Sequence, residues 1–127
     1  MRVLPTRVHG VLDYTMGAAL IALPWVMGFA RGGAETWIPV AVGAGAILYS
    51  LLTDYELGVV KRLQMPVHLW LDGIAGVLLA VSPWLFAFDQ VVWIPFVVLG
   101  VAEVMAAMFT DTIPGYERRG GARVGTA

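Results

Sequence analysis

Four long apolar stretches dominate the chain: Val8–Phe29, Trp37–Leu52, Val67–Phe88 and Val91–Phe109. Each approaches the roughly 17–25 residues with which a helix crosses hydrocarbon. The second is the shortest and needs Trp37 and Thr53 to reach the interface. The polar positions inside the stretches follow a pattern. At about 100° per residue, His9, Asp13, Gly17, Leu20 and Pro24 share one narrow helical stripe. The third stretch repeats that stripe with His68, Asp72, Gly76, Leu79 and Pro83.

The repetition extends further. Trp25 and Phe29 recur as Trp84 and Phe88, Trp37-Ile38-Pro39 as Trp93-Ile94-Pro95, and Thr53-Asp54 as Thr110-Asp111. Such self-similarity defines the architecture before any local detail. The chain reads as repeat 1 over 1–58, with spans at about 8–29 and 37–53. A linker follows over 59–66, then repeat 2 over 67–115 with spans at about 67–88 and 91–110, and a tail over 116–127 expected to lack order. Each unit crosses twice and enters from the same side. The two are therefore parallel hairpins about a pseudo-twofold axis along the membrane normal. The expected fold class is all-α: a polytopic membrane protein of four transmembrane helices.

Composition strengthens this reading. Hydrophobic residues make up 59% and charged residues 13%, against roughly 45–50% and 25% in soluble domains. A small water-soluble fold needs a polar surface that these residues cannot supply. Net charge is −1, which gives no reason to expect a nucleic-acid partner. The basic residues are asymmetric: Arg2, Arg7, Lys61, Arg62, Arg118, Arg119 and Arg123 fall on one side and only Arg31 on the other. The positive-inside tendency then puts both termini in the cytoplasm of a bacterial inner membrane. The first span is too long and too polar for a signal peptide and has an internal counterpart, so it reads as retained. No cysteine is present, which excludes disulfides, thiolate metal sites and a Cys nucleophile.

Prolines and tryptophans mark the ends. Pro39, Pro66 and Pro95 suit a first helical turn, whereas Pro24 and Pro83 predict a kink or break near the outer leaflet. Ser82 could bond a carbonyl that Pro83 frees, although Leu23 stands there in the first copy. Trp25, Trp37, Trp84 and Trp93 are expected as anchors at the outer interface. Gly17 and Gly76 are expected to let helices approach closely around the shared axis, and Gly43 and Gly45 read as close-packing positions too.

Two-helix units carrying Ser82-Pro83-Trp84 and its variant Leu23-Pro24-Trp25 resemble the SPW-repeat family of small bacterial membrane proteins, over about residues 6–115. The resemblance implies location and architecture and brings no biochemical activity with it.

Candidate chemistry lies at the opposite end of the stripe. His9/Asp13 and His68/Asp72 are i, i+4 pairs on one helical face, and Asp54 and Asp111 end the second and fourth spans at the same level. Those two acids oppose the helix dipole and need a cationic or hydrogen-bonding partner. Two His and two Asp could bind a divalent metal, or two facing His could ligate a haem. They could equally be structural hydrogen bonds, within a hairpin or to Thr53 and Thr110, the commoner use of polar groups between membrane helices. Glu103, alone inside the fourth span, is a functional candidate by default, or a protonated acid bonded to a carbonyl or to Tyr49. Tyr14 and Tyr49 are candidate buried hydrogen-bond partners.

No catalytic motif is present, and no loop is long enough for a catalytic domain. The expected function is therefore non-enzymatic: a structural or interaction component of the membrane, with no cofactor and with lipid, a second copy or a membrane protein as partner. The alternatives are a metal- or haem-binding bundle, and an oligomeric transporter or proton-conducting unit using Glu103 and the paired Asp residues.

Overall fold

The computed structural model describes residues 2–124, which form five helices: α1 (Thr6–Val26), α2 (Ala34–Leu51), α3 (Met65–Leu85), α4 (Ile94–Phe109) and α5 (Gly115–Val124). Of the four expected spans, α2 and α3 are long and apolar enough to cross a membrane, and α4 is a shorter apolar helix. α1 has 21 residues, but Arg7, His9 and Asp13 dilute its hydropathy.

α1 packs against α2 and α3 against α4, with α2 and α3 in contact between the hairpins. Each hairpin closes where two glycines meet. A Cβ on Gly43 would lie 2.5 Å from the Gly17 carbonyl oxygen, and one on Gly100 would lie 2.5 Å from that of Gly76. Gly17 and Gly76 thus serve the packing inside each hairpin, not the axis between the two. Gly45 differs from Gly43, since nothing lies within 4 Å of a Cβ there.

The sequence-based boundaries shift at both prolines. α1 runs through Pro24 and ends two residues later at Val26, and α3 runs through Pro83 to Leu85. No break occurs at either proline. The Pro24 carbonyl instead accepts from the amides of Phe29 and Ala30 at 2.9 and 3.0 Å. That of Pro83 accepts from Phe88 and Asp89 at 2.8 and 3.0 Å. These bonds satisfy carbonyls that a helix end leaves open. The left-handed position this requires is filled by Gly28 (φ 73°) and by Ala87 (φ 56°). Ser82 Oγ donates to the Leu79 carbonyl at 2.7 Å, the group deprived of a donor by Pro83.

α2 begins earlier than Trp37. Glu35 and Thr36 accept the amides of Arg31, Gly32 and Gly33 at 3.0 Å and fix the loop ahead of the helix. Pro39 therefore sits in the second turn, while Pro66 and Pro95 occupy the start of α3 and α4. Residues 115–124 of the tail, expected without order, form α5; residues 125–127 lie outside the described residues.

Around the bundle the surface is apolar. Val11, Leu48, Trp70, Ile74, Val98 and Val101 are each at least half exposed. The interior is divided in two. Leu20, Leu79, Phe29, Phe88 and Phe96 fill one end, near the loops that precede α2 and α4. At that same end Trp25 stacks edge-on to Trp37 and Trp84 lies against Trp93, with centroids 6.1 and 5.9 Å apart. The other end, where the basic residues gather, holds the polar groups.

Candidate functional site: a buried His-Asp quartet

Each hairpin carries its His and Asp one turn apart on its first helix, so both face the same way. Across the axis the two pairs meet. His9, Asp13, His68 and Asp72 are all buried, and one ligand-capable atom from each lies within 4.8 Å of the others. His9 Nε2 stands 3.0 Å from Asp13 Oδ1 and 2.8 Å from Asp72 Oδ2. His68 Nε2 stands 3.1 Å from Asp13 Oδ2 and 3.2 Å from Asp72 Oδ2. The imidazole rings lie edge to face, with centroids 5.4 Å apart.

Two threonines fix the rings. Thr110 Oγ1 donates its proton to the Ala106 carbonyl at 2.6 Å, and so faces His9 Nδ1 at 2.8 Å as an acceptor. Thr53 repeats this with the Tyr49 carbonyl at 2.6 Å and His68 Nδ1 at 2.7 Å. Nδ1 must then carry the hydrogen on both rings. Each threonine belongs to the other repeat's hairpin, so the two hairpins clasp one another. The backbone does likewise: Leu4 bridges to Thr110, and Leu63 to Thr53.

The carboxylates are held by phenols. Tyr49 donates to Asp72 Oδ1 at 2.5 Å and Tyr55 to Asp13 Oδ2 at 2.8 Å. Tyr55, fully buried in the segment between α2 and α3, is the site residue that helical periodicity could not reveal. It follows Thr53-Asp54 in a stretch that belongs to no helix, and only the path of that stretch carries it back over α1.

One atom of the site stands out. His68 Nε2 is buried and within ion-pair distance of both carboxylates, yet makes no aligned hydrogen bond with either. Buried polar atoms without partners are rare enough to need a reason.

Asp54 and Asp111 do not join the quartet. Asp54 accepts from the Tyr116 hydroxyl, and Asp111 pairs with Arg118 at 3.0 Å, so both find the partners that their helix-end position requires. Glu103 also stands apart. It is half-buried on α4 with its Cβ facing Gly76, one turn farther along the stripe than Asp72. Tyr49, its expected partner, is bound to Asp72 instead.

No curated protein and no solved structure matches the chain. The model of the SPW repeat domain matches residues 7–110, and so takes in α1 to α4 and the whole quartet. The protein belongs to the SPW repeat family, a membership that brings no specific activity with it.

Proposed function

We propose that this protein crosses the bacterial inner membrane four times, with its basic end in the cytoplasm, and binds one divalent cation between its two hairpins. The spanning reading is supported by an apolar exterior around a bundle whose paired His and Asp groups are buried at one end, an arrangement unlike that of a soluble fold. The orientation is supported by Arg2, Arg7, Lys61, Arg62, Arg118 and Arg119 at one end of the bundle and paired tryptophans at the other.

The cation reading rests on the orphaned Nε2 of His68, aimed at two carboxylates while its Nδ1 proton is committed to Thr53. A metal-ligating His characteristically gives its other N–H to such a second partner. The separations fit as well. Metal–ligand bonds of about 2.1 Å in a tetrahedron place ligand atoms about 3.4 Å apart, and the four His–Asp separations here run from 2.8 to 3.2 Å. Seating an ion needs these four separations to widen by a few tenths of an ångström and the remaining ligand pairs, within 4.8 Å, to adjust to the same spacing. Two neutral imidazoles, two carboxylates and a divalent cation sum to zero charge, which a low-dielectric interior favours. Mixed imidazole and carboxylate ligands suit zinc, manganese or iron(II). A haem is disfavoured because the Asp carboxylates fill the space between the rings.

A second reading keeps the quartet as a structural clasp, both imidazoles protonated and paired with the carboxylates. It is favoured by the well-formed His9–Asp72 bond at 2.8 Å. Elemental analysis of protein purified from metal-replete cells separates the two. About one equivalent of metal, lost in His68→Ala, supports the cation. Metal-free protein that also fails to take up cobalt with a visible absorption band rejects it.

A further inference from the structure

The two hairpins differ where the first helix of each faces outward at the basic end. In the first, the chain beyond α2 folds back over α1. A Cβ on Gly10 would lie 2.7 Å from Leu57 Cδ1 and 2.8 Å from Tyr55, and the Tyr14 hydroxyl donates to the Leu57 carbonyl at 2.8 Å. In the second, the equivalents of Gly10 and Tyr14 are Leu69 and Gly73. The chain beyond α4 turns the other way, where the Gly115 amide meets the Glu56 carboxylate at 2.8 Å. Leu69 is itself buried against Tyr55, but the surface that Tyr14 fills in the first repeat is open at Gly73 in the second. There it forms a groove of about 650 Å³ between α3 and α4, at the base of which Arg2 stands. Nothing lies within 4 Å of a Cβ on Gly73.

The groove has a polarity and a length. Arg2 Nη1 donates to the carbonyls of Ala107 and Thr110 at 3.2 and 2.6 Å, which fixes the guanidinium at the end of α4. Among the described residues no carboxylate pairs with it. Trp70, 75% exposed, flanks the same end, as an indole does at headgroup level. From Pro66 to Val77 the lining follows α3 for about 16 Å at 1.5 Å per residue. That is about half of the ~30 Å hydrocarbon core, or one leaflet.

We infer that this groove is a binding site for an anionic phospholipid of the cytoplasmic leaflet, with its phosphate on Arg2 and one acyl chain along Gly73 and Val77. The inference rests on the bilayer-spanning reading and is independent of the cation. Charge decides the headgroup, because a fixed cation at the membrane surface attracts anionic lipid. The missing side chain at Gly73 admits the chain.

Native mass spectrometry of protein reconstituted in equal phosphatidylglycerol and phosphatidylcholine tests it. The wild type should retain one phosphatidylglycerol at about fivefold preference over phosphatidylcholine, as expected for one basic group near the surface. Gly73→Leu fills the groove at a site where a side chain meets nothing, so it should lose the retained lipid at unchanged melting temperature. Arg2→Gln should retain lipid without headgroup preference. Equal retention of both lipids by the wild type overturns the inference, and so does undiminished retention by Gly73→Leu. A wild-type dimer that Gly73→Leu dissolves overturns it too, by placing a second copy in the groove.

Discussion

His9 of the first repeat reaches Asp72 of the second, Nε2 to Oδ2 at 2.8 Å, with both side chains about 1% exposed. The contact ties one hairpin to the other at the pseudo-twofold axis. His68 and Asp13 complete the exchange at 3.1 Å. Four groups that would be costly alone in a buried interior compensate one another. The contact between the hairpins is thus polar at this end and apolar at the other, where Phe29 and Phe88 both pack on Phe96 at 5.8 and 5.0 Å.

Removing one member should expose that interdependence. Asp13→Ala leaves two imidazoles with Asp72 as their single carboxylate and the Tyr55 hydroxyl without its acceptor. The expected cost is about 3–5 kcal/mol, the range for breaking a buried ion pair. Thermal unfolding in mild detergent should show a large fall in melting temperature. Asp54→Ala, at the periphery of the bundle, should show a small one. Equal effects would mean that the quartet does not hold the hairpins together.

The threonines offer a subtler test of the cation. Thr53→Val and Thr110→Val keep shape but remove the acceptor for a ring N–H, leaving Nδ1 of His68 or His9 unfixed. Loss of such an outer partner lowers metal affinity about 10–100-fold, readable by competition with a chelating dye. Thr53→Ser should recover most of the loss. If valine at either position leaves affinity unchanged, these hydroxyls do not tune a metal ligand.

Much of this was legible in the sequence, for a definite reason. A helix carries its periodicity in the residues themselves, so the stripe from His9 to Pro24 and its twin from His68 to Pro83 could be placed on faces without coordinates. What the stripe packs against is set by the connecting segments, which have no period. Hence Gly17 faces Gly43 inside its own hairpin, Thr110 serves the other repeat's His9, and Tyr55 arrives from a linker. The same limit applies to Asp54 and Asp111. They sit at the expected level, but the course of α5 gives them Tyr116 and Arg118 instead of the quartet.

The glycine contacts predict opposite outcomes for similar substitutions. In Gly100→Ala the new Cβ falls 2.5 Å from the Gly76 carbonyl oxygen and 2.7 Å from the Ala80 amide nitrogen, both backbone atoms that cannot step aside. Overpacking of this kind costs about 1–3 kcal/mol. Gly45→Ala meets nothing and gains helix propensity of up to about 1 kcal/mol. Melting temperatures in one detergent should therefore fall for the first and hold or rise for the second. The reverse order would contradict close glycine packing within the hairpins.

The α5 helix is predicted to be held by a contact that alkali breaks. The Tyr116 hydroxyl donates to Asp54, and that bond, reinforced by the nearby Glu117 and Glu56 charges, raises the phenol to about 12. Lys61 lies over the same ring at 4.4 Å. A phenol raised in the folded state stabilises the protein fully below its ordinary pKa near 10. It loses that contribution as pH climbs through the raised value. Absorbance of the phenolate, taken as the difference between wild type and Tyr116→Phe, should therefore appear near pH 12 and not near 10. Because Glu56 and Asp111 also hold α5, through the Gly115 amide and Arg118, ionisation should loosen the helix without releasing it. A difference titration centred near pH 10 would show that Tyr116 is free in solution, with α5 docked by the other two contacts alone.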